Sequence, residues 1–155
     1  MRRRGRVCAL QILYQLDLAK ELATDTFNPE AVRTAIGRYW QSFDPVDAED
    51  EAFAERLVMG VAREVAAMDT ALSAVSHHWK IARMDRVDRN VLRLAAYEML
   101  RCPDIPRAAS INEAIEIAKR FSNNDAAAFI NGVLDQLARS KDTGEAELVE
   151  STESK

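Results

Sequence analysis

Four arginines crowd the start of the chain, at Arg2, Arg3, Arg4 and Arg6. A guanidinium presents a planar fork of donors that matches phosphate oxygens, so this cluster suits anion binding. The competing reading is a solvated helix start. Cations at a helix N-terminus oppose the macrodipole, however, so their number there does nothing for stability. A second candidate lies near the other end, where Asp125-Ala126-Ala127-Ala128 reads as a capped helix start leading into Phe129. Exposed, Phe129 would stack on an unpaired base, the usual route to single-stranded RNA. Turned inward, it is a core phenylalanine under the turn.

Catalytic chemistry finds less to use. His77 and His78 are adjacent, so on a helix they diverge by about 100° and cannot grip one metal from one face. No C-x-x-C, H-E-x-x-H or glycine-rich phosphate loop occurs. Cys102 before a proline has the residue type of a nucleophile, but a buried small residue explains it better. Glu98 shares an apolar helix face with Val91 and Leu94. A carboxylate there needs a partner or a raised pKa. With no second carboxylate on its stripe, a structural hydrogen bond is the preferred role, exposed amides at the start of the Ser110 helix being candidate donors. The residues therefore predict no catalytic site, no metal and no cofactor.

The elements that must position these groups are helical. Ser110 and Glu113 form an S-x-x-E capping box, followed by an apolar face of Ile111, Ala114, Ile115, Ala118 and Phe121. Ser122-Asn123-Asn124-Asp125 interrupts it with turn-forming residues, and Ile130, Val133, Leu134 and Leu137 resume the period. That is a helical hairpin with a polar corner. Upstream, a first helix is predicted from the arginines to about Ala23. It is apolar on two sides, through Cys8, Ile12 and Leu16 and through Leu10, Tyr14 and Leu18, which places it centrally in a bundle. Tyr14 reads as a core aromatic with its hydroxyl reaching water.

Asn28-Pro29-Glu30 starts a second helix and Asp44-Pro45 ends it. Glu49, Asp50 and Glu51 open a third, with Phe53, Leu57, Val61 and Val65 inward. Gly60 inside it costs about 1 kcal/mol relative to alanine, which close helix–helix approach would offset. Asp69 reads as the cap of a short helix over Thr70–Trp79. Lys80–Arg86 reads as a corner between two halves, and Asp88–Leu100 as the next helix, stopped at Cys102-Pro103. No period-2 stretch appears. The fold class is all-α, about seven helices in two three-helix-bundle halves spanning residues 1–140.

Composition bounds the rest. The chain has 155 residues, 48% hydrophobic and 30% charged, enough for one cored domain. No apolar run reaches the ~20 residues of a membrane span, and two distant cysteines favour a reduced, cytoplasmic setting. The net charge of −4 combines a +4 arginine cluster with a −3 tail over residues 141–155, leaving the body acidic. Duplex coating through overall charge is thereby disfavoured, whereas a focused anion site is not. The tail, KDTGEAELVESTESK, reads as disordered.

These motifs also carry a resemblance. R-R-R-G-R-V-C-A-L-Q-I-L-Y, D-R-N-V-L-R-L-A-A-Y-E-M-L, I-N-E-A-I-E-I-A-K and F-I-N-G-V-L-D, in that order, resemble the signatures of the NusB family across residues 2–139, loosely over 20–80. The resemblance implies two three-helix bundles and a non-enzymatic transcription antitermination factor. Its implied partners are boxA of nascent ribosomal RNA, the ribosomal protein NusE and the transcription elongation complex. Carried over by position, Arg2, Arg3, Arg4 and Arg6 would contact RNA phosphates, with Asp125 and Phe129 at a second RNA-proximal place. Tyr14 and Asp88 match NusE-contacting positions. Three departures stand out. Gly5 replaces an alanine and could fray the helix start, Ala128 replaces a frequent lysine, and Asn123-Asn124 alter the corner. Two alternatives share the pattern, a NusB-like domain of a ribosomal RNA cytosine methyltransferase and a purely protein-binding helical adaptor.

Overall fold

A computed structural model describes residues 2–22, 26–76 and 80–153, with side chains described through residue 140. Among these residues the elements are α1 (Arg3–Leu18), α2 (Pro29–Ser42), α3 (Ala48–Arg63), α4 (Val65–Val75), a 3-10 turn (Ile81–Arg83), α5 (Arg86–Arg101), α6 (Arg107–Phe121) and α7 (Asn124–Glu153). The all-α reading stands. His77, His78 and Trp79 lie outside the described residues, as does Ala23.

Local chemistry explains most boundaries. Asn28 and Asp47 cap α2 and α3, their side chains accepting from the amides of Ala31 and Asp50. Asp85 does the same for α5 through Val87. Helix α1 stops at Leu18, short of the expected Ala23. Lys20 adopts a left-handed φ of 60°, and the amides of Lys20 and Glu21 turn back to the carbonyls of Asp17 and Leu16, a Schellman-type closure.

Three expected caps are corrected. Asp69 does not start a helix, because α4 already begins at Val65. Its carboxylate is drawn sideways to Arg93, at 2.8 Å from both Nε and Nη2. Ser110 is likewise inside α6, which starts at Arg107 directly after Pro106. A proline lacks the N–H that a helix start leaves unpaired, so the chain nucleates there. Ser110 and Glu113 are thereby freed to face other helices. At the next corner the cap is Asn123, which accepts from Ala126 N at 2.7 Å, and not Asp125.

Helix α5 packs against α1, α3, α4, α6 and α7. Its run from Asn90 to Ala96 is buried without interruption. Around it close Ile12, Leu13 and Leu16 of α1, Leu57 and Val58 of α3, and Ile130 and Leu134 of α7, all essentially sealed from water. Helices α1, α2 and α3 pack on one another, and helix α4 packs on α5 and α7. The helical backbone of α7 runs on to Glu153, into the tail that composition reads as disordered. Helical hydrogen bonds are local, and no proline interrupts that stretch.

Two glycines mark close approaches. A Cβ on Gly5 would sit 3.0 Å from the Asp50 carbonyl oxygen, so Gly5 seats α1 against the start of α3, in a helix already regular from Arg3. A Cβ on Gly60 would fall 2.1 Å from the Tyr97 ring, which places α3 directly on α5 as its position predicted. Gly60→Ala should therefore destabilise by about 1–2 kcal/mol in denaturant melts, overpacking outweighing the gain in helix propensity. Adding Tyr97→Leu should recover most of the loss; a Gly60→Ala variant at or above wild-type stability would refute the contact.

Candidate nucleic-acid and partner interface

The four N-terminal arginines do not form one solvated patch. Arg6 is 5% exposed and grips Glu98, itself 2% exposed, through contacts of 2.8–3.1 Å. Ser110 Oγ donates to the same carboxylate at 2.8 Å. This answers the question of Glu98: its donors are a guanidinium and a hydroxyl, not the amides of the helix start. Arg3 is paired too, its Nε and Nη2 meeting the two Glu113 oxygens at 3.0 and 2.8 Å, yet its side chain stays half exposed. The Arg3 hydrogen bond holds the Glu113 carboxyl below its ordinary pKa, against a smaller push upward from burial.

Arg2 and Arg4 are exposed. Arg2 lies 4.9 Å over the Phe53 ring, and its backbone takes a φ of 54°, which turns the residue back over the helix end. Arg4 lines a cleft of about 550 Å³ with Arg3, Tyr39, Phe43 and Arg120. At the corner between α6 and α7, Asp125 is exposed and Phe129 is half-buried, packed against the core. The two readings of Phe129 thus each hold a share of the ring.

Tyr14 and Asp88 are linked only through Val87, the residue before Asp88, which lines the same cleft as Tyr14. Tyr14 lines an apolar cleft of about 300 Å³ with Leu10, Leu18, Phe43, Val87 and Phe121. Leu18 and Phe43 are the large hydrophobic residues left most open, at 54% and 43%. Asp88 follows Val87 in α5, and the hydroxyl of Ser122, the residue after Phe121, favours its charged form. Its Oδ1 is buried without a hydrogen-bond partner. Burial pushes the Asp88 carboxyl above its ordinary pKa, Ser122 offsets part of that, and the Asp85 charge adds to it.

An ionic network between α1 and α5 was not foreshadowed among the sequence-predicted site residues. Asp17, on α1, receives Arg89 at 2.6 Å from Nε and Nη2, Asn90 at 2.8 Å and Arg93 at 3.3 Å. Burial alone would raise the Asp17 carboxyl, but these donors outweigh it and leave the pKa lowered. A signal existed: Arg89 and Arg93 are four apart on a helix whose neighbours are apolar, opposite a lone acid of α1. Among the described residues no group of three or more histidine, cysteine or acidic side chains is placed to hold a metal. No helix among them is long and apolar enough to cross a membrane.

The model of the NusB family matches residues 3–139. The chain belongs to the NusB family. The transcription antitermination protein NusB of Anaeromyxobacter dehalogenans (strain 2CP-1) is 48% identical over 137 residues, covering 88% of this chain and 89% of that one. That of Myxococcus xanthus is 45% identical, over 88% and 94%. Among solved structures, T. maritima NusB superposes with a TM-score of 0.75 at 32% identity, over 90% of this chain and 91% of that one. NusB in a complex of the antitermination factors NusB and NusE with double-stranded RNA gives a TM-score of 0.71 at 24% identity, over 90% and 98%, a likeness of fold. The chain thus keeps the family fold over nearly all of its described length.

Because Arg6 and Glu98 are sealed in together, neutralising one partner strands the other. Glu98→Gln should lower stability by about 3–5 kcal/mol in chemical denaturation, as for a broken buried pair. Arg4→Ala, on the same turn but in water, should stay within about 0.5 kcal/mol of wild type. Equal effects of the two would show that Arg6 is not held as described.

Proposed function

We propose that this chain is a non-enzymatic transcription antitermination factor of the cytoplasm that binds boxA of nascent ribosomal RNA together with NusE, within the transcription elongation complex. The observation that carries it is the pair of unlike surfaces along α1: guanidiniums in its first turn, and an apolar cleft at Tyr14 further on. RNA needs the first and a protein partner the second. Relatives in the family are antitermination proteins, and one similar fold is found with NusE and RNA.

On this reading Arg2 and Arg4 offer charge to phosphates directly. Arg3 exchanges Glu113 for a phosphate or bridges both. Arg6 acts as a positioning residue, anchoring the helix start from within. Asp125 and Phe129 extend the RNA path to the α6–α7 corner, the half-open ring offering its edge to a base. Tyr14 supplies an aromatic contact to NusE. Asp88, half-buried in the first turn of α5, supplies carboxylate charge for a basic residue of the partner.

Filter binding with single-stranded boxA RNA tests the first surface. Each phosphate contact to a single strand contributes about 0.7 to the slope of log K against log salt. Arg2→Ala with Arg4→Ala should flatten that slope by roughly 1.4 with melting unchanged; an unaltered slope would remove these arginines from the interface.

Asp88→Asn tests the second. A carboxyl with a raised folded-state pKa lowers stability once pH exceeds its unfolded pKa, so the penalty is absent in acid and present at neutrality. The variant should therefore gain in Tm relative to wild type between pH 3 and pH 7, while NusE affinity falls at least several-fold by calorimetry. Full NusE affinity in the folded variant would strike Asp88 from the partner face.

A further inference from the structure

The arginine-lined cleft contains more than the N-terminal cluster, and two of its residues have no role so far. Arg120 sits in the last turn of α6, yet it lines the same 550 Å³ cleft as Arg3 and Arg4 of α1. Its guanidinium lies 4.8 Å over the Phe121 ring. Neither Arg4 nor Arg120 is within ion-pairing distance of a carboxylate among the described residues. Asp44 is the acid in the lining, and Arg3 is balanced by Glu113. Two guanidiniums from distant parts of the chain thus converge with one aspartate between them, an excess of positive charge in a concave surface. Such a surface concentrates field on an anion.

Phe43 stands at the edge of this cleft. Its ring stacks on Tyr39 with centroids 4.2 Å apart and planes 18° from parallel. Tyr39 is 3% exposed and is held by a hydrogen bond from its hydroxyl to Gln11 Oε1. Phe43 is 43% exposed. One face of the phenylalanine is therefore backed by a fixed aromatic, while nearly half of the residue meets water. An open aromatic face beside cations that lack carboxylate partners is the combination by which proteins hold single-stranded nucleic acid. A planar base is a fitting cover, since stacking on an immobilised ring loses little side-chain entropy and every base has a π-face.

From this we infer that the cleft between α1, the end of α2 and the end of α6 is a one-nucleotide subsite for single-stranded RNA. Arg4 and Arg120 hold its phosphate, and Phe43 stacks its base. The inference rests on the RNA-binding reading above and adds to it two residues, Phe43 and Arg120. It also gives the subsite a preference for unpaired nucleotides, because a base held in a helix cannot present its face to Phe43. Sequence preference should be weak here, since nothing in the stack reads a base edge.

The experiment uses the full chain, with single-stranded boxA RNA and a duplex of the same sequence, titrated at several salt concentrations. Arg120→Ala should weaken single-strand binding and flatten the salt slope by about 0.7. Phe43→Leu should weaken single-strand binding roughly 5- to 100-fold, the range of one lost stack. It should leave duplex binding and the salt slope unchanged, and Phe43→Tyr should bind as wild type does. Melting of each variant by circular dichroism confirms that it is folded. Arg120→Ala and Phe43→Leu variants that bind the single strand as wild type does would overturn the subsite and leave the rest of the RNA face intact. A Phe43→Leu variant that loses NusE affinity but keeps single-strand affinity would assign Phe43 to the protein face and overturn the subsite equally. A wild-type chain that binds neither RNA, alone or with NusE, would overturn the RNA reading and the subsite with it.

Discussion

Arg6 and Glu98 put opposite charges where water does not reach, and three helices are arranged by that fact. Arg6 rises from the first turn of α1, Glu98 from the last turn of α5, and Ser110 of α6 adds a hydroxyl donor. An isolated buried carboxylate or guanidinium would cost several kcal/mol, so each is tolerable only with the others in place. The pair is poor evidence for extra stability, because apolar residues of the same volume often do as well. What it supplies is register. Helix α1 cannot slide or rotate against α5 without uncovering a charge, and the exposed arginines beside Arg6 inherit that fixed position.

A second ionic set repeats the device further along α1. Asp17 is met by Arg89, Asn90 and Arg93, and Arg93 continues to Asp69 of α4. Helix α5 is therefore tied at its first turns to α1 and α4, and near its end to α1 and α6. Between the two ionic sets lies an apolar core with no polar interruption. The surface of α1 that this leaves outward is divided along its length, cationic at the start and apolar beside Tyr14. Phe43 borders both clefts. Two ligands of different chemistry can then occupy neighbouring surfaces while the same buried contacts hold both.

Asp88, proposed above for the partner face, departs from the pattern of the buried acids. The fully buried acids among the described residues, Asp17, Glu98 and Glu113, are all met by guanidinium groups. Asp88 has a hydroxyl for one oxygen and nothing for the other. Its position in the first turn of α5 favours the charge through the helix dipole, which partly offsets burial. The chain keeps there a carboxylate whose hydrogen bonding is unfinished.

Helix identity, the helical hairpin over 110–137 and the apolar faces were legible in the sequence because they depend on contacts a few residues apart. Spacing of 3.6 residues, prolines and short polar caps report on neighbours along the chain, and Gly60 announced a close approach by its cost alone. The motifs in α1, α5 and α6–α7 were enough to suggest the family. Caps at Asp69 and Ser110 were misread for the same reason: a local rule was applied where a distant partner, Arg93 or Glu98, decided the side chain's direction. The sequence showed four equivalent arginines at one end. Only the tertiary structure could divide them into a buried anchor, a paired side chain and two open ones, because Glu98 and Glu113 lie about a hundred residues away. It alone could bring Arg120 beside Arg4. Charge and burial act through space, and sequence spacing carries no record of which distant carboxylate a guanidinium will meet.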